Sequence, residues 1–249
     1  MSTVITATNI TKSFEVSDQT IPILKDIGFS VDKGDFLIIF GPSGCGKSTL
    51  LHILLGLEHP TTGELTVLDK DVYLNTTEDD RSLFRRAHIG MVYQQPNWIK
   101  SLNVIDNVAL PLQLGGVPKL QAVEQAHELL KEVDMESHAQ YRPSELSSGQ
   151  QQRIALARAL VIDPELIIAD EPTGNLDYQS GQELMLLLSN LNKNGRTIVM
   201  VTHDLEYIQF AKTAIQMLDG HIEASFNQSN IHQLSQRLAG KRGVSSEQK

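Results

Sequence analysis

An α/β fold with a mostly parallel sheet is what this sequence predicts, on three observations. Short apolar runs stand at Phe36–Phe40 and Leu166–Ala169, and Thr197–Val201 is apolar after its first residue, as suits strands buried on both faces. Segments with apolar residues at helical spacing alternate with those runs, above all in the last third. Such alternation gives parallel strands joined by right-handed crossovers. The opening third differs: Val4–Ile10 and Ile27–Val31 alternate apolar and polar residues, the mark of an N-terminal antiparallel β subdomain.

The elements follow in order. Asp32–Asp35 is a turn before Phe36–Phe40, and Ser48–Leu57 reads as a helix ended by Gly56 and Pro60. Leu65–Leu68 and Asp71–Leu74 read as a hairpin, Glu78–His88 as a short charged helix and Ile89–Tyr93 as a strand. From about Pro96 the pattern is mainly helical, an inserted helical subdomain of about 96–160. Within it Leu120, Val123, Leu129, Leu130 and Val133 define an apolar helix face, and Ser148–Ile162 is a long helix. Leu184, Leu187, Leu188 and Leu191 place Gln182–Asn192 on a helix, with Asn194–Gly195 as its stop. Another helix is expected from Asp204. The sequence turns polar after Gly220, so the main domain is expected over 1–224 and a polar tail over 225–249, disordered at Ser245–Lys249.

The 249 residues are enough for one large domain or a core with a subdomain, and 41% hydrophobic and 20% charged residues suit a globular chain. A net charge of −9 with no basic stripe argues against a nucleic-acid partner. The single cysteine, Cys45, excludes an intramolecular disulfide and agrees with a reducing, cytoplasmic setting. The start, MSTVITATNITKSF, lacks the charged and then apolar pattern of a secretory signal. The richest apolar runs, Phe36–Phe40 and Leu50–Leu57, are shorter than a bilayer requires, so any membrane spans must come from other chains.

Residues Gly41, Pro42, Ser43, Gly44, Cys45, Gly46, Lys47, Ser48 and Thr49 satisfy G-x-x-x-x-G-K-[ST], between a strand and a helix. The spacing has a mechanical reason. Glycines let successive backbone N–H groups turn inward into an anion nest, at a helix start whose dipole also favours negative charge. Lys47 supplies a point charge for the β- and γ-phosphates, and the Ser48 hydroxyl a ligand for Mg²⁺. The spacing predicts a P-loop core that binds ATP. Cys45, inside the loop, is expected to be alkylated in competition with the nucleotide.

Leu166–Ala169 leads into two adjacent acids, Asp170 and Glu171. At the carboxyl end of a strand, where α/β sheets bind ligands, Asp170 suits the Mg²⁺ and Glu171 the attacking water. An ordinary turn at Pro172 and Gly174 would explain the pair alone; beside a phosphate loop the functional reading prevails.

LSSGQQQR (Leu146–Arg153) stands between the phosphate loop and IIADEPTGNLD, and the three in that order resemble the ATP-binding cassette (ABC) family over about residues 2–223. NVALPL (Asn107–Leu112) and ADEPTGNLD (Ala169–Asp177) look most like the subgroup of lipoprotein release, macrolide-type efflux and the cell-division complex. The resemblance implies an ATPase that closes as a dimer, two identical chains in the simplest case, and drives an integral membrane permease from the cytoplasmic face. It implies that Phe14 stacks on adenine and that Gln94 senses the γ-phosphate, contacts the metal and couples to the membrane partner. It makes Ser147, Ser148, Gly149 and Gln150 the signature, Asp177 part of the loop at the dimer seam, and His203 the switch histidine.

Bland alternatives stay open at several of these positions. Phe14 reads equally as core, Gln95 rivals Gln94, His203 suits a helix start, and Trp98 is either an interface anchor or buried. The signature is a helix start, whose free N–H groups make a second anion site. Ser148 stands where a glycine is usual. It either carries strain of roughly 1 kcal/mol, if φ is positive there, or adds a hydroxyl donor. Function divides among a transport motor, a regulator driving a membrane protein without transport, and a soluble ATPase of translation or DNA repair. The last usually has paired cassettes or a coiled-coil insert, and neither is present.

Overall fold

The computed structural model describes residues 2–17, 19–231 and 234. In chain order, β1 (Thr3–Val16), β2 (Gln19–Asp32), β3 (Phe36–Phe40), α1 (Lys47–Leu54), β4 (Thr62–Val67) and β5 (Lys70–Asp71) come first. Next come α2 (Glu78–His88), β6 (Ile89–Tyr93), α3 (Val104–Leu114), α4 (Lys119–Glu132), α5 (Ser148–Leu160), β7 (Leu166–Asp170) and α6 (Tyr178–Lys193). The chain closes with β8 (Thr197–Thr202), β9 (Thr213–Leu218) and β10 (His221–Phe226). The described residues form two compact units, one from those up to Thr77 and those from Thr197 on, the other Glu78–Arg196.

The first unit holds the antiparallel sheet β2-β1-β4-β5 and the strand series β10-β9-β3-β8. Every residue of β3 and of β8 is buried. The solid apolar runs have this cause: β3 lies between β8 and β9, parallel to both. Each large apolar side chain so buried contributes roughly 1.5–3 kcal/mol. Phe40 pairs with Thr202 in register, so Gly41 and His203 leave the sheet side by side at its carboxyl edge.

Three sequence expectations change in this unit. Asp71 ends its strand instead of starting one, because its carboxylate accepts the Tyr73 and Leu74 N–H groups at 2.9 and 2.7 Å. After β8 the chain makes a 3-10 helix over Leu205–Phe210 and not an α-helix. The polar stretch after Gly220 is the strand β10, antiparallel to β9 through Asp219 and Gly220, whose φ angles are 47° and 82°. An Asp-Gly pair with both residues left-handed is the tight hairpin turn. Ser245–Lys249 lie outside the described residues.

In the second unit β6 and β7 run parallel in register from Ile89↔Leu166 to Tyr93↔Asp170. A Cβ on Gly90 would stand 2.5 Å from the Ala159 carbonyl oxygen, so glycine lets α5 lie directly on β6. The charge polarity of α2 matches the helix dipole, with Glu78, Asp79 and Asp80 in its first turn and Arg85, Arg86 and His88 in its last. Val104, Val108, Ala122, Ala126, Leu130, Ile154 and Ala157 are buried together between α3, α4 and α5. The buried face of α4 is therefore Ala122, Ala126 and Leu130, while Leu120, expected on that face, is 85% exposed. Ala122 and Ala126 let α4 approach its neighbours closely, and the partly buried Val123 and Leu129 sit beside that seam. No helix among the described residues is long and apolar enough to cross a membrane.

Candidate functional site

The phosphate loop of the first unit is shaped by close backbone approaches. A Cβ on Gly41 would stand 2.2 Å from the Met217 carbonyl oxygen of β9. One on Gly46, at φ 101°, would stand 2.7 Å from Leu24 Cδ2 and 3.1 Å from the Ile23 carbonyl oxygen of β2. Pro42, Ser43 and Gly44 form the exposed crest, and the Ser48 hydroxyl belongs to an exposed residue while Thr49 is half-buried.

Lys47 opens α1 and is only 5% exposed. Its Nζ donates to the carbonyl oxygens of Gly41 at 2.9 Å and Pro42 at 3.0 Å, with Cys45 Sγ at 4.0 Å. These partners are neutral, so they satisfy the ammonium's protons without balancing its charge. The cap residue Gly46 offers no side chain and the first turn contains no acid. The amides of Lys47, Ser48 and Thr49, which no intrahelical carbonyl can reach, share one helix start with that buried cation. A polyphosphate fits this combination on charge and on hydrogen bonding.

Cys45, whose alkylation is expected to compete with the nucleotide, is 3% exposed, so that reaction requires the loop to open. His203 is exposed, one residue past β8 and level with the loop. Phe14 stands on the antiparallel sheet at 38% exposure, which removes the core reading. The Lys12 ammonium lies 4.7 Å from its ring centroid.

In the second unit Asp170 ends β7, and Glu171 follows in a left-handed conformation at φ 44°. A non-glycine residue held there stores about 1–3 kcal/mol and needs surroundings that enforce it. The register Tyr93↔Asp170 brings Gln94 beside Glu171. A Cβ on Gly174 would stand 2.7 Å from Gln94 Nε2, and Asn175 Nδ2 donates to the Gln94 carbonyl oxygen at 3.4 Å. Gln95 lines the same cavity of about 300 Å³, yet it is the Gln94 amide that packs onto the loop after Glu171.

The signature is partly self-satisfied. Ser147 Oγ accepts the Gln150 N–H at 3.2 Å, and Gln150 Oε1 accepts the Ser147 N–H at 3.0 Å, a capping box. Of the N–H groups at this helix start, the capping box uses those of Ser147 and Gln150 and leaves those of Ser148 and Gly149 for an anion. Ser148 lies in the first turn of α5 and is absent from the residues with positive φ, so the strain reading falls and its exposed hydroxyl remains a donor. Gly149 is required, since a Cβ there would stand 2.7 Å from Ser180 Oγ. Asp177 caps α6, accepting the Ser180 N–H at 2.9 Å and the Ser180 hydroxyl at 2.8 Å. The backbone bond first, then the hydroxyl, hold its carboxyl below the usual 3.8.

Trp98 is half-buried against the helical cluster. Its Nε1 donates to Gln151 Oε1 at 2.9 Å, and the Arg158 guanidinium lies 4.4 Å from its ring centroid. Burial pushes the Arg158 pKa down from its usual value. Sequence reasoning passed over Gln152 and Asn107, polar residues on the buried faces of their helices. Their signal was a carboxamide standing where the helical period calls for an apolar side chain.

Comparison with known proteins places this architecture. The family model described as "ABC transporter" matches residues 24–174. The lipoprotein-releasing system ATP-binding protein LolD of Colwellia psychrerythraea is 39% identical over 223 residues, covering 89% of this chain and 86% of that protein. The macrolide export ATP-binding/permease protein MacB of Bartonella henselae is 39% identical over 236 residues, 94% of this chain but 36% of MacB. Among solved structures, the ATP-binding cassette MJ0796 of Methanocaldococcus jannaschii, a dimer in a post-hydrolysis state with ADP and Pi, superposes with a TM-score of 0.83. It shares 38% identity over 90% of this chain and 98% of its own. A buried lysine over an uncapped glycine loop, an acidic strand end and a capped signature helix agree with those matches, and the chain is an ATP-binding protein of the ABC transporter family.

Proposed function

We propose that this chain hydrolyses ATP as a dimer and so drives a separate integral membrane permease, from the cytoplasmic face, in the export or extraction of a substrate. The observation that carries the reading is the buried Lys47 ammonium, held by neutral partners at an uncapped helix start. A charge in that state favours a polyanion. In this reading the loop amides and Lys47 bind the β- and γ-phosphates, and Phe14 packs against the base. Glu171 orients the attacking water and takes its proton, while Lys47 and His203 hold the charge that develops on the γ-phosphoryl group. Ser148 and Gly149 of one chain complete the nucleotide site of the other, which the dimeric relative supports.

Ser48, Gln94 and Asp170 offer hydroxyl, amide and carboxylate oxygens, a hard donor set that suits Mg²⁺. When bound, Mg²⁺ would neutralise charge on the phosphate oxygens. The LolD and MacB relatives support an export or extraction role, and Gln94 with the loop to Leu102 would carry the closing stroke to the permease. Glu171→Gln tests the chemistry. Turnover should fall by roughly 10²–10⁴, the usual worth of a general base, with MgATP binding retained. Near-normal turnover would remove Glu171 from the reaction. Co-purification in mild detergent, with the partner identified by mass spectrometry, tests the permease.

A further inference from the structure

We infer that Gln152 is a positioning residue for Gln94, tying it mechanically to the helix that carries Ser148 and Gly149. The inference rests on the reading that Gln94 takes part in hydrolysis. Gln152 is 2% exposed, and a polar side chain buried so fully must be hydrogen-bonded to be tolerated. Its Nε2 donates to the Tyr93 carbonyl oxygen at 2.8 Å. That carbonyl belongs to the peptide plane joining Tyr93 to Gln94, and the plane is rigid. Holding its oxygen therefore holds the Gln94 nitrogen and Cα.

Gln94 is gripped from its other side as well. Asn175 Nδ2 donates to its carbonyl oxygen, and Gly174 leaves room for its carboxamide. The irregular stretch that follows is fastened by the same helix α5. Gln151 accepts the Trp98 indole N–H, and Arg158 donates to the Asn97 carbonyl oxygen at 2.9 Å. Ser148, Gln94 and Gln152 all open on one cavity of about 300 Å³. A displacement at the signature end of α5 thus carries the Gln94 amide with it. Gln152 touches no reacting atom in this account; it acts through the Tyr93–Gln94 peptide.

The test is a double-mutant cycle in the full chain with two readouts. Gln152→Met keeps the volume and loses the donor. Its kcat should fall roughly fivefold, the rate equivalent of one neutral hydrogen bond, with KM and MgATP affinity unchanged. In a Gln94→Ala background the same substitution should cost nothing further. Trp98, the chain's one tryptophan, reports the loop directly, and its acrylamide quenching should rise in Gln152→Met. Unchanged quenching overturns the inference, and so does an equal fold loss in both backgrounds, the pattern of general destabilisation. Gln94→Ala with normal turnover, beside raised quenching in Gln152→Met, would remove Gln94 from the chemistry while upholding the tether. If Gln152→Met does not fold, Gln152→Asn decides, because it keeps the amide one methylene too short to reach.

Discussion

Two helix starts in this molecule treat their free amides in opposite ways. At α1 the cap residue is Gly46, with no side chain to turn back and no acid in the first turn. At α5 Ser147 and Gln150 satisfy each other's N–H groups, leaving those of Ser148 and Gly149. The first start is costly to leave empty and is built around a buried cation; the second is stable by itself. A helix start that declines to cap itself is prepared for a full-time anion, whereas a half-capped one is prepared for a partner that comes and goes. In the proposed function, the difference suits α1 to the primary hold on nucleotide and α5 to a contact made on dimer closure.

The largest test of that contrast is Lys47→Ala. Calorimetry should register a loss of MgATP affinity of roughly 100-fold or more, since the buried charge is removed from the primary seat. Retained micromolar affinity would break the contrast at its stronger end. Ser147→Ala probes the weaker end. It should lower stability by about 1 kcal/mol, the usual worth of a cap, while MgATP binding to the isolated chain stays the same. Chemical denaturation checks the first part, and a matching loss of nucleotide affinity would show that the two starts are not separate.

The smallest effect concerns the start of α6, capped by Asp177. The folded Asp177 carboxyl titrates below 3.8, so it binds fewer protons folded than unfolded in the interval between the two values. Its contribution to stability is present above the unfolded value and is lost as pH falls through the folded one. Stability from this group should be flat above about pH 5 and decline only in more acidic solution. NMR titration of the Asp177 side chain, beside acid denaturation of Asp177→Asn, checks the direction.

Much of this was legible in the chain itself, where a local signal sufficed. Glu78–His88 is bounded as read, because acids at one end and bases at the other fit the dipole. Phe36–Phe40 announced a strand covered on both faces, and the phosphate loop needed only its spacing. Signals that depend on a neighbour were harder. Leu120 looked like core, but the seam of α4 is made of Ala122 and Ala126 with Leu130, and the value of the alanines lies in letting another helix approach. The edge strand β10 alternates exposed and half-buried residues, so its composition read as tail, although Asp219–Gly220 offered a hairpin signal. The capping box was written in the sequence as Ser147 and Gln150. Its consequence, fewer free amides at the signature, needed the geometry.

The curl of the phosphate loop is imposed from outside, by the Met217 carbonyl behind Gly41 and by Ile23 and Leu24 behind Gly46. The opening hairpin is accordingly part of the mould in which the nucleotide seat is cast. Trimming the chain to residue 24, where the family match begins, would remove Ile23 and β1 from that mould while sparing every residue of the motif. A side-chain change at Ile23 or a backbone shift at Met217 is therefore expected to retune affinity without touching the letters by which the loop is known.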